Sequence, residues 1–204
     1  MTVTKAIVET AAEAALHERP PAPISKDVSR SHRPDIVGPD APEPPFPIVL
    51  SGVVERGFGR GGKDLGCPTA NLPDESLPVM SEVTQTGVYY GYAQVAPTRD
   101  GESPLNEEDV VVHPMVMSLG WNPFYKNKQL TAEIHLMHNF QRDFYGHHMT
   151  AIVLGYIRPE LDYVSREALI EDIETDKRVA LNCLARPHYE AFKQDKVFTG
   201  QPKL

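Results

Sequence analysis

The sequence lacks several features that would place it in a common class of protein. It has two cysteines in 204 residues, Cys67 and Cys183, too few for a disulfide framework. No apolar run approaches the ~20 residues of a membrane-spanning helix, and the first residues lack the basic and apolar stretches that would predict a secretory signal. The net charge is −8, whereas a general nucleic-acid binder needs a basic surface. We therefore expect a cytoplasmic monomer that neither binds nucleic acid nor inserts into a membrane.

Aromatic residues are absent from the first part of the chain, where proline is abundant. Nine of the 19 prolines lie in residues 1–47, and the first aromatic residue is Phe46. Such a segment cannot bury enough apolar surface to offset the entropy lost on ordering. We predict a disordered, Pro-rich N-terminal extension over residues 1–45 and one domain over residues 46–204. A targeting role for the extension stays open, so a mitochondrial or membrane-associated location is the alternative to the cytoplasm.

The rest of the chain is dominated by strand patterns. Aromatic and β-branched residues concentrate in the segments Ile48–Val54, Gly87–Val95, Val110–Leu119, Leu130–Phe140 and Ala151–Ile157. Ala96–Asp109 combines proline, glycine and charge without periodicity, which predicts an exposed loop. One helix is expected late, from an N-cap at Ser165 to a stop before Pro187. Five or more strands with one clear helix predict a mainly β fold, either a barrel or a sandwich.

A glycine-rich run, G-F-G-R-G-G-K-D-L-G-C-P-T-A-N at 57–71, matches two phosphate-binding patterns by spacing. Its glycines satisfy G-x-G-x-x-G, and residues 57–63 satisfy all but the last position of G-x-x-x-x-G-K-[ST]. Both patterns require a helix directly after the glycines, and Gly66 and Pro68 disfavour one there. What remains is a loop whose backbone N–H groups and Lys63 can meet phosphate oxygens, or an ordinary hairpin tip.

Two oxygen-bearing side chains follow the glycines. In an extended segment, Thr69 and Asn71 project to the same side. One hydroxyl and one amide oxygen suit a magnesium ion that keeps most of its coordination shell for waters and nucleotide phosphates. The sequence Pro-Thr-x-Asn also forms ordinary turns and caps, so the residues alone leave both interpretations open.

The glycine-rich run resembles the signature of the riboflavin kinase (flavokinase) family, of the eukaryotic monofunctional type. The likeness continues, in the family's order, in S-L-G-W-N-P-F-Y-K-N at 118–127, E-I-H-L-M-H-N-F at 133–140, D-F-Y-G at 143–146 and G-Y-I-R-P-E at 155–160. It covers roughly residues 46–200. The resemblance implies a six-stranded Greek-key (split) β-barrel with a C-terminal α-helix. It also implies transfer of the ATP γ-phosphate to the 5′-hydroxyl of riboflavin, which yields FMN and ADP.

The resemblance further implies roles for individual residues. Strand alternation points Glu133 away from the apolar face of its segment, and the matching glutamate of the family is the general base. Magnesium is the expected metal, at Thr69 and Asn71, with zinc as an alternative divalent ion. The residues that match nucleotide-binding positions are Gly57, Lys63 and His138, and those that match the flavin side of the pocket are Phe144 and Tyr145.

Three other interpretations are weighed against this one. The barrel can be a non-catalytic module that binds flavin or nucleotide, or a passenger of an interaction protein that works through its extension. A cluster of histidines, His135, His138, His147 and His148, also suggests zinc. A strand would place the first two on opposite sides, however, and no cysteine pair accompanies them, so zinc is the minor alternative.

Overall fold

The computed structural model describes residues 33–56, 67–73, 76–77, 85–121, 130–161, 163 and 165–199. Its central feature is one antiparallel sheet of six strands, namely β1 (Ile48–Val53), β2 (Ala70–Asn71), β3 (Gly87–Ala96), β4 (His113–Trp121), β5 (Leu130–Leu136) and β6 (His148–Arg158). The order across the sheet is β1-β6-β3-β4-β5-β2. The sheet curls until its two edges meet again at a bridge between Glu55 and Asn71. The predicted fold class, a mainly β barrel with a C-terminal helix, is confirmed.

The register of the strands separates an inward row of side chains from an outward one. Tyr89 pairs with Met117, Met117 with Ile134, and Ile134 with Ala70, and all four side chains are buried in the barrel core. Because side chains alternate along a strand, the next row faces outward. Buried apolar contacts on one row therefore fix which residues share the outer row.

The main helix, α1 (Arg166–Leu184), covers part of the outer face of the sheet. Its predicted N-cap is confirmed, since Ser165 Oγ accepts a hydrogen bond of 3.1 Å from the Ala168 N–H. Residues such as Val179 and Leu184 pack against the outward side chains of Tyr92 and Ile152. Three short turns follow, namely α2 (Pro187–Glu190), a 3-10 turn (Ala191–Gln194) and α3 (Lys196–Thr199). Over the described residues, no helix is both long and apolar enough to cross a membrane.

Part of the predicted extension is packed rather than free. Arg33 lies 2.9 Å from Asp172 and 2.9 Å from Asp176, both on α1. The Arg186 guanidinium donates hydrogen bonds to backbone carbonyls of residues 37, 38 and 39. Disorder was expected up to residue 45, but the segment from Arg33 onward finds partners on and beside the helix, because it supplies charge and carbonyl oxygens and because Val37 packs against the apolar cluster under the helix. For residues 1–32, outside the described residues, disorder stays a prediction.

Candidate active site

Strand pairing brings the predicted metal ligand and the predicted base side by side. Asn71 is the direct partner of Glu133 in the β2–β5 pair, and Ser118 is the partner of Glu133 on the other side, in β4. The three residues belong to the outward row, as the alternation of Leu130–Phe140 predicted for Glu133. Thr69 completes the group, because its Oγ1 donates a hydrogen bond of 3.4 Å to Glu133 Oε2. The side chains of Thr69, Asn71 and Glu133 are half-buried, so they remain accessible to a ligand.

The start of β2 is held in place from two directions. His135 Nδ1 donates a hydrogen bond of 2.8 Å to the Pro68 carbonyl. Burial lowers the pKa of His135, and nearby Lys177 lowers it further, so the imidazole is neutral while it donates. On the other edge, the Glu55 N–H donates to the Asn71 carbonyl at 3.0 Å. These bonds fix the backbone that carries Thr69 and Asn71.

The donor set fits a hard divalent ion better than zinc. It combines a hydroxyl, an amide oxygen and one carboxylate, which suits magnesium that retains waters and phosphate oxygens. Within the described parts of the chain, no three side chains among His, Cys, Asp and Glu come close enough to hold a metal. Structural zinc sites are built mainly from cysteine and histidine, so the histidine cluster gives no support for zinc within these described parts.

The four histidines of the predicted cluster point to four separate partners. The partners are the Pro68 carbonyl for His135, the Asp109 carboxylate for His138, the Ser103 carbonyl for His147 and the Ser51 hydroxyl for His148. Strand β5 ends at Leu136, so His138 lies beyond it. Proximity in sequence therefore does not bring these imidazoles together.

A second group of side chains surrounds His138. Its Nε2 donates a hydrogen bond of 2.8 Å to Asp109 Oδ1, and its ring stacks on His113 with centroids 4.2 Å apart. Phe140 meets the His138 ring edge-on at 4.7 Å, and Phe144 lies 4.3 Å from Phe140. The structure thus brings the predicted nucleotide residue His138 and the predicted flavin residue Phe144 into one aromatic cluster.

Tyr145 contacts Arg56, the residue that precedes the glycine-rich segment. The Arg56 guanidinium sits 4.4 Å from the centre of the Tyr145 ring, and the Gly146 N–H donates to the Val54 carbonyl at 3.0 Å. Arg56 immediately precedes the run 57–66, which ends next to Cys67. The described residues that flank this run therefore contact Tyr145 at one end and lie two positions before Thr69 at the other. Gly57 and Lys63 lie outside the described residues, so their nucleotide roles stay predictions.

Sequence reasoning missed Asp109 and His113. Asp109 ends the segment that was expected to be an exposed loop, yet its side chain is buried, with 5% of the residue exposed. No periodicity marks it, because its partner His138 lies 29 positions away. The one available signal was the charged Asp109 directly before the apolar run that leads into β4.

Comparisons of the sequence and of the structure with known proteins point to the same family. The sequence model of the flavokinase family, described as riboflavin kinase, matches residues 44–184. The riboflavin kinase of Kluyveromyces lactis is 46% identical over 78% of this chain and 96% of its own length. That of Scheffersomyces stipitis is 48% identical over 79% of this chain and 98% of its own. A crystal structure of riboflavin kinase from Trypanosoma brucei aligns with a TM-score of 0.60 and 27% identity, over 76% of this chain and 91% of that one. The resemblance inferred from the motifs is confirmed, and the chain belongs to the riboflavin kinase family.

Proposed function

We propose that this chain makes FMN by transferring the ATP γ-phosphate to the 5′-hydroxyl of riboflavin, with Glu133 as general base and a divalent metal at Thr69 and Asn71. Family membership supports the overall reaction, an ATP:riboflavin 5′-phosphotransfer that uses ATP as co-substrate and a divalent metal. The observation that carries the finer assignment is the contact of Thr69 with Glu133, together with the direct pairing of Glu133 and Asn71.

Glu133 is the group proposed to take the proton of the attacking hydroxyl. As the riboflavin oxygen forms its bond to the γ-phosphorus, the bond from that phosphorus to the β–γ bridging oxygen breaks and ADP leaves. The hydroxyl proton moves to a Glu133 carboxylate oxygen, a transfer that needs the two groups within hydrogen-bond reach. The Thr69 hydroxyl, bonded to Oε2, restricts the rotation of this carboxylate. When bound, the metal neutralises charge on the phosphate oxygens.

The substrates are proposed to bind beside this group. Gly57 and Lys63 contact the nucleotide phosphates, and Lys63 adds the positive charge that the transferred phosphoryl group requires. His138 contacts the nucleotide as well, while Phe144 and Tyr145 flank the flavin. Two observations support these assignments: Phe140 contacts both His138 and Phe144, and Tyr145 contacts Arg56, the residue that precedes the glycine-rich run.

The alternative is a barrel that binds flavin or nucleotide without turnover. A binder of that kind has no use for a carboxylate beside two oxygens that suit magnesium, so the Thr69–Asn71–Glu133 group favours catalysis. The test is to incubate the purified full chain with riboflavin, ATP and magnesium chloride and to follow FMN by chromatography. We expect FMN that depends on both ATP and metal. Riboflavin binding without product, whichever of magnesium, manganese or zinc is added, would instead identify the non-catalytic barrel.

A further inference from the structure

Asp109, in the connection between β3 and β4, is a buried carboxylate with two hydrogen bonds. Its Oδ1 accepts from His138 Nε2 at 2.8 Å, and its Oδ2 accepts from the Asn106 backbone N–H at 2.8 Å. Burial by itself would raise the pKa of Asp109, but the bonds from Asn106 and His138 outweigh it and lower the pKa. Asp109 is therefore an ionised group aimed at one nitrogen of the imidazole.

Stacking and edge contacts fix the plane of the His138 ring, in addition to the hydrogen bond that Nε2 donates to Asp109. His113 stacks on it with an interplanar angle of 13°, and His113 is itself fixed because its Nε2 donates to the Glu108 carbonyl at 2.9 Å. Phe140 stands against the ring at 85°. Burial lowers the pKa of His113, and the neighbouring His138 lowers it further, so His113 acts as a neutral stacking partner.

These contacts leave the other ring nitrogen of His138 available. Because the Nε2 proton is donated to Asp109, Nδ1 is the ring nitrogen left to meet a ligand, and it accepts a hydrogen bond in the tautomer that carries its proton on Nε2. In the part of the chain that the structure describes, no hydrogen bond reaches this nitrogen. A hydroxyl or amino group can donate to it. A phosphate oxygen can only accept, and the ionised Asp109 behind the ring repels it.

We infer that Asp109 is a positioning residue that holds His138 with Nδ1 directed at the nucleoside part of ATP, where it accepts a hydrogen bond from a hydroxyl or amino group. The inference rests on the proposed function, since it assigns a role within the same nucleotide site. Asp109 touches neither substrate and acts through His138.

The test is a double-mutant cycle of Asp109→Ala and His138→Ala, read by the binding of magnesium-ADP in calorimetry and by KM and kcat for both substrates. Asp109→Ala should weaken ADP binding and raise KM for ATP about tenfold, the scale expected when a buried hydrogen bond to a charged group is lost. KM for riboflavin and kcat should change less than about twofold. Because Asp109 acts through His138, the double variant should match His138→Ala instead of adding the two effects.

Two further readouts separate positioning from a merely structural role. In nitrogen-15 NMR, His138 should carry its proton on Nε2 in the wild type and distribute it between both nitrogens in Asp109→Ala. Inhibition by tripolyphosphate, which has no nucleoside, should be equal in both proteins. His148→Ala, which removes a half-buried histidine bonded to Ser51, serves as the control and should leave ADP binding unchanged.

The outcomes are distinct for the two proposals. Three results would overturn the inference while FMN formation stands. They are equal ADP binding by wild type and Asp109→Ala, additive effects of the two mutations in the cycle, and an equal rise of KM for ATP and KM for riboflavin. Absence of FMN from the wild type would reject the proposed function, and calorimetry would still decide the role of Asp109. If Asp109→Ala does not fold, Asp109→Asn, which keeps an acceptor oxygen but no charge, replaces it with the same expected pattern at smaller amplitude.

Discussion

Asn71 and Glu133 face each other as paired residues of β2 and β5. One step along the same pair, Ala70 faces Ile134, and both of these side chains are buried in the barrel. A slip of one residue would turn Glu133 into the core and Ile134 out to solvent. The geometry of the proposed site is therefore enforced by the apolar row behind it, not by contacts among the polar residues alone.

The proposed metal ligands predict a defect in metal activation. Thr69→Val and Asn71→Ala remove the hydroxyl and the amide oxygen, so each should raise the magnesium concentration for half-maximal FMN formation about tenfold or more, and excess magnesium should restore part of the rate. Ser118→Ala is the matched control, because Ser118 is the other direct neighbour of Glu133 but is not a proposed ligand. If all three variants showed the same magnesium dependence as the wild type, Thr69 and Asn71 would not be the ligands.

Arg33 lies in the packed segment before β1, and we expect its replacement to lower the stability of the fold strongly. This side chain and its partners Asp172 and Asp176 are nearly buried, with 11%, 1% and 4% exposed. Arg33→Ala leaves buried carboxylate charge without part of its compensation, so we expect a loss of about 3 kcal/mol in the free energy of unfolding by urea. The exposed pair of Arg178 and Asp35, 3.7 Å apart, provides the comparison.

Arg178→Ala should change the free energy of unfolding by about 1 kcal/mol or less, because exposed ion pairs contribute little. Similar losses in the two variants would show that the Arg33 contacts do not stabilise the fold. Removal of residues 1–32, where disorder is predicted, should alter neither stability nor FMN formation.

The buried His113 predicts a pH-dependent loss of stability. Burial lowers its pKa in the folded protein, with a further lowering from His138, whereas the unfolded chain titrates near the ordinary value of about 6.5. Below that pH the unfolded state binds a proton that the folded state resists, so the free energy of unfolding falls as the pH falls from about 7 to 5. The stability difference between wild type and His113→Gln should therefore shrink by up to about 1 kcal/mol per pH unit in this window.

Urea unfolding of the two proteins at several pH values measures this difference. Burial also lowers the pKa of His135, but His135 titrates in both proteins, so its contribution cancels in the stability difference. The same holds for Asp176, since burial raises its pKa in both proteins. Parallel stability curves for wild type and His113→Gln would contradict a buried, neutral His113.

Regular alternation made part of this structure predictable. Leu130–Phe140 alternates apolar and polar residues, so the outward position of Glu133 followed from the sequence, and the observed strand Leu130–Leu136 carries it there. Ser165 and the apolar spacing that follows it likewise predicted α1. These features are local, and each depends on residues within a few positions of one another.

Contacts between distant segments could not be derived in the same way. Strand β2 has two residues, Ala70 and Asn71, and exists because it pairs with β5, more than 60 positions away. The salt bridges of Arg33 and the bond from His138 to Asp109 join segments that no short pattern links. The motifs of the family indicated which residues belong to one site, whereas strand register and burial determine how they meet.

The rate of FMN formation by Glu133→Gln tests the central claim most directly. Glutamine keeps the size of the side chain and an acceptor for the Thr69 hydroxyl, but it is a far weaker base. In a single-turnover assay with saturating ATP, magnesium and riboflavin, we expect the rate to fall about 10²- to 10⁴-fold, while KM for ATP changes little. Glu55→Gln, which alters the exposed partner of Asn71 on the opposite edge, should retain the wild-type rate. A Glu133→Gln protein that forms FMN at nearly the wild-type rate would contradict the assignment of Glu133 as the general base.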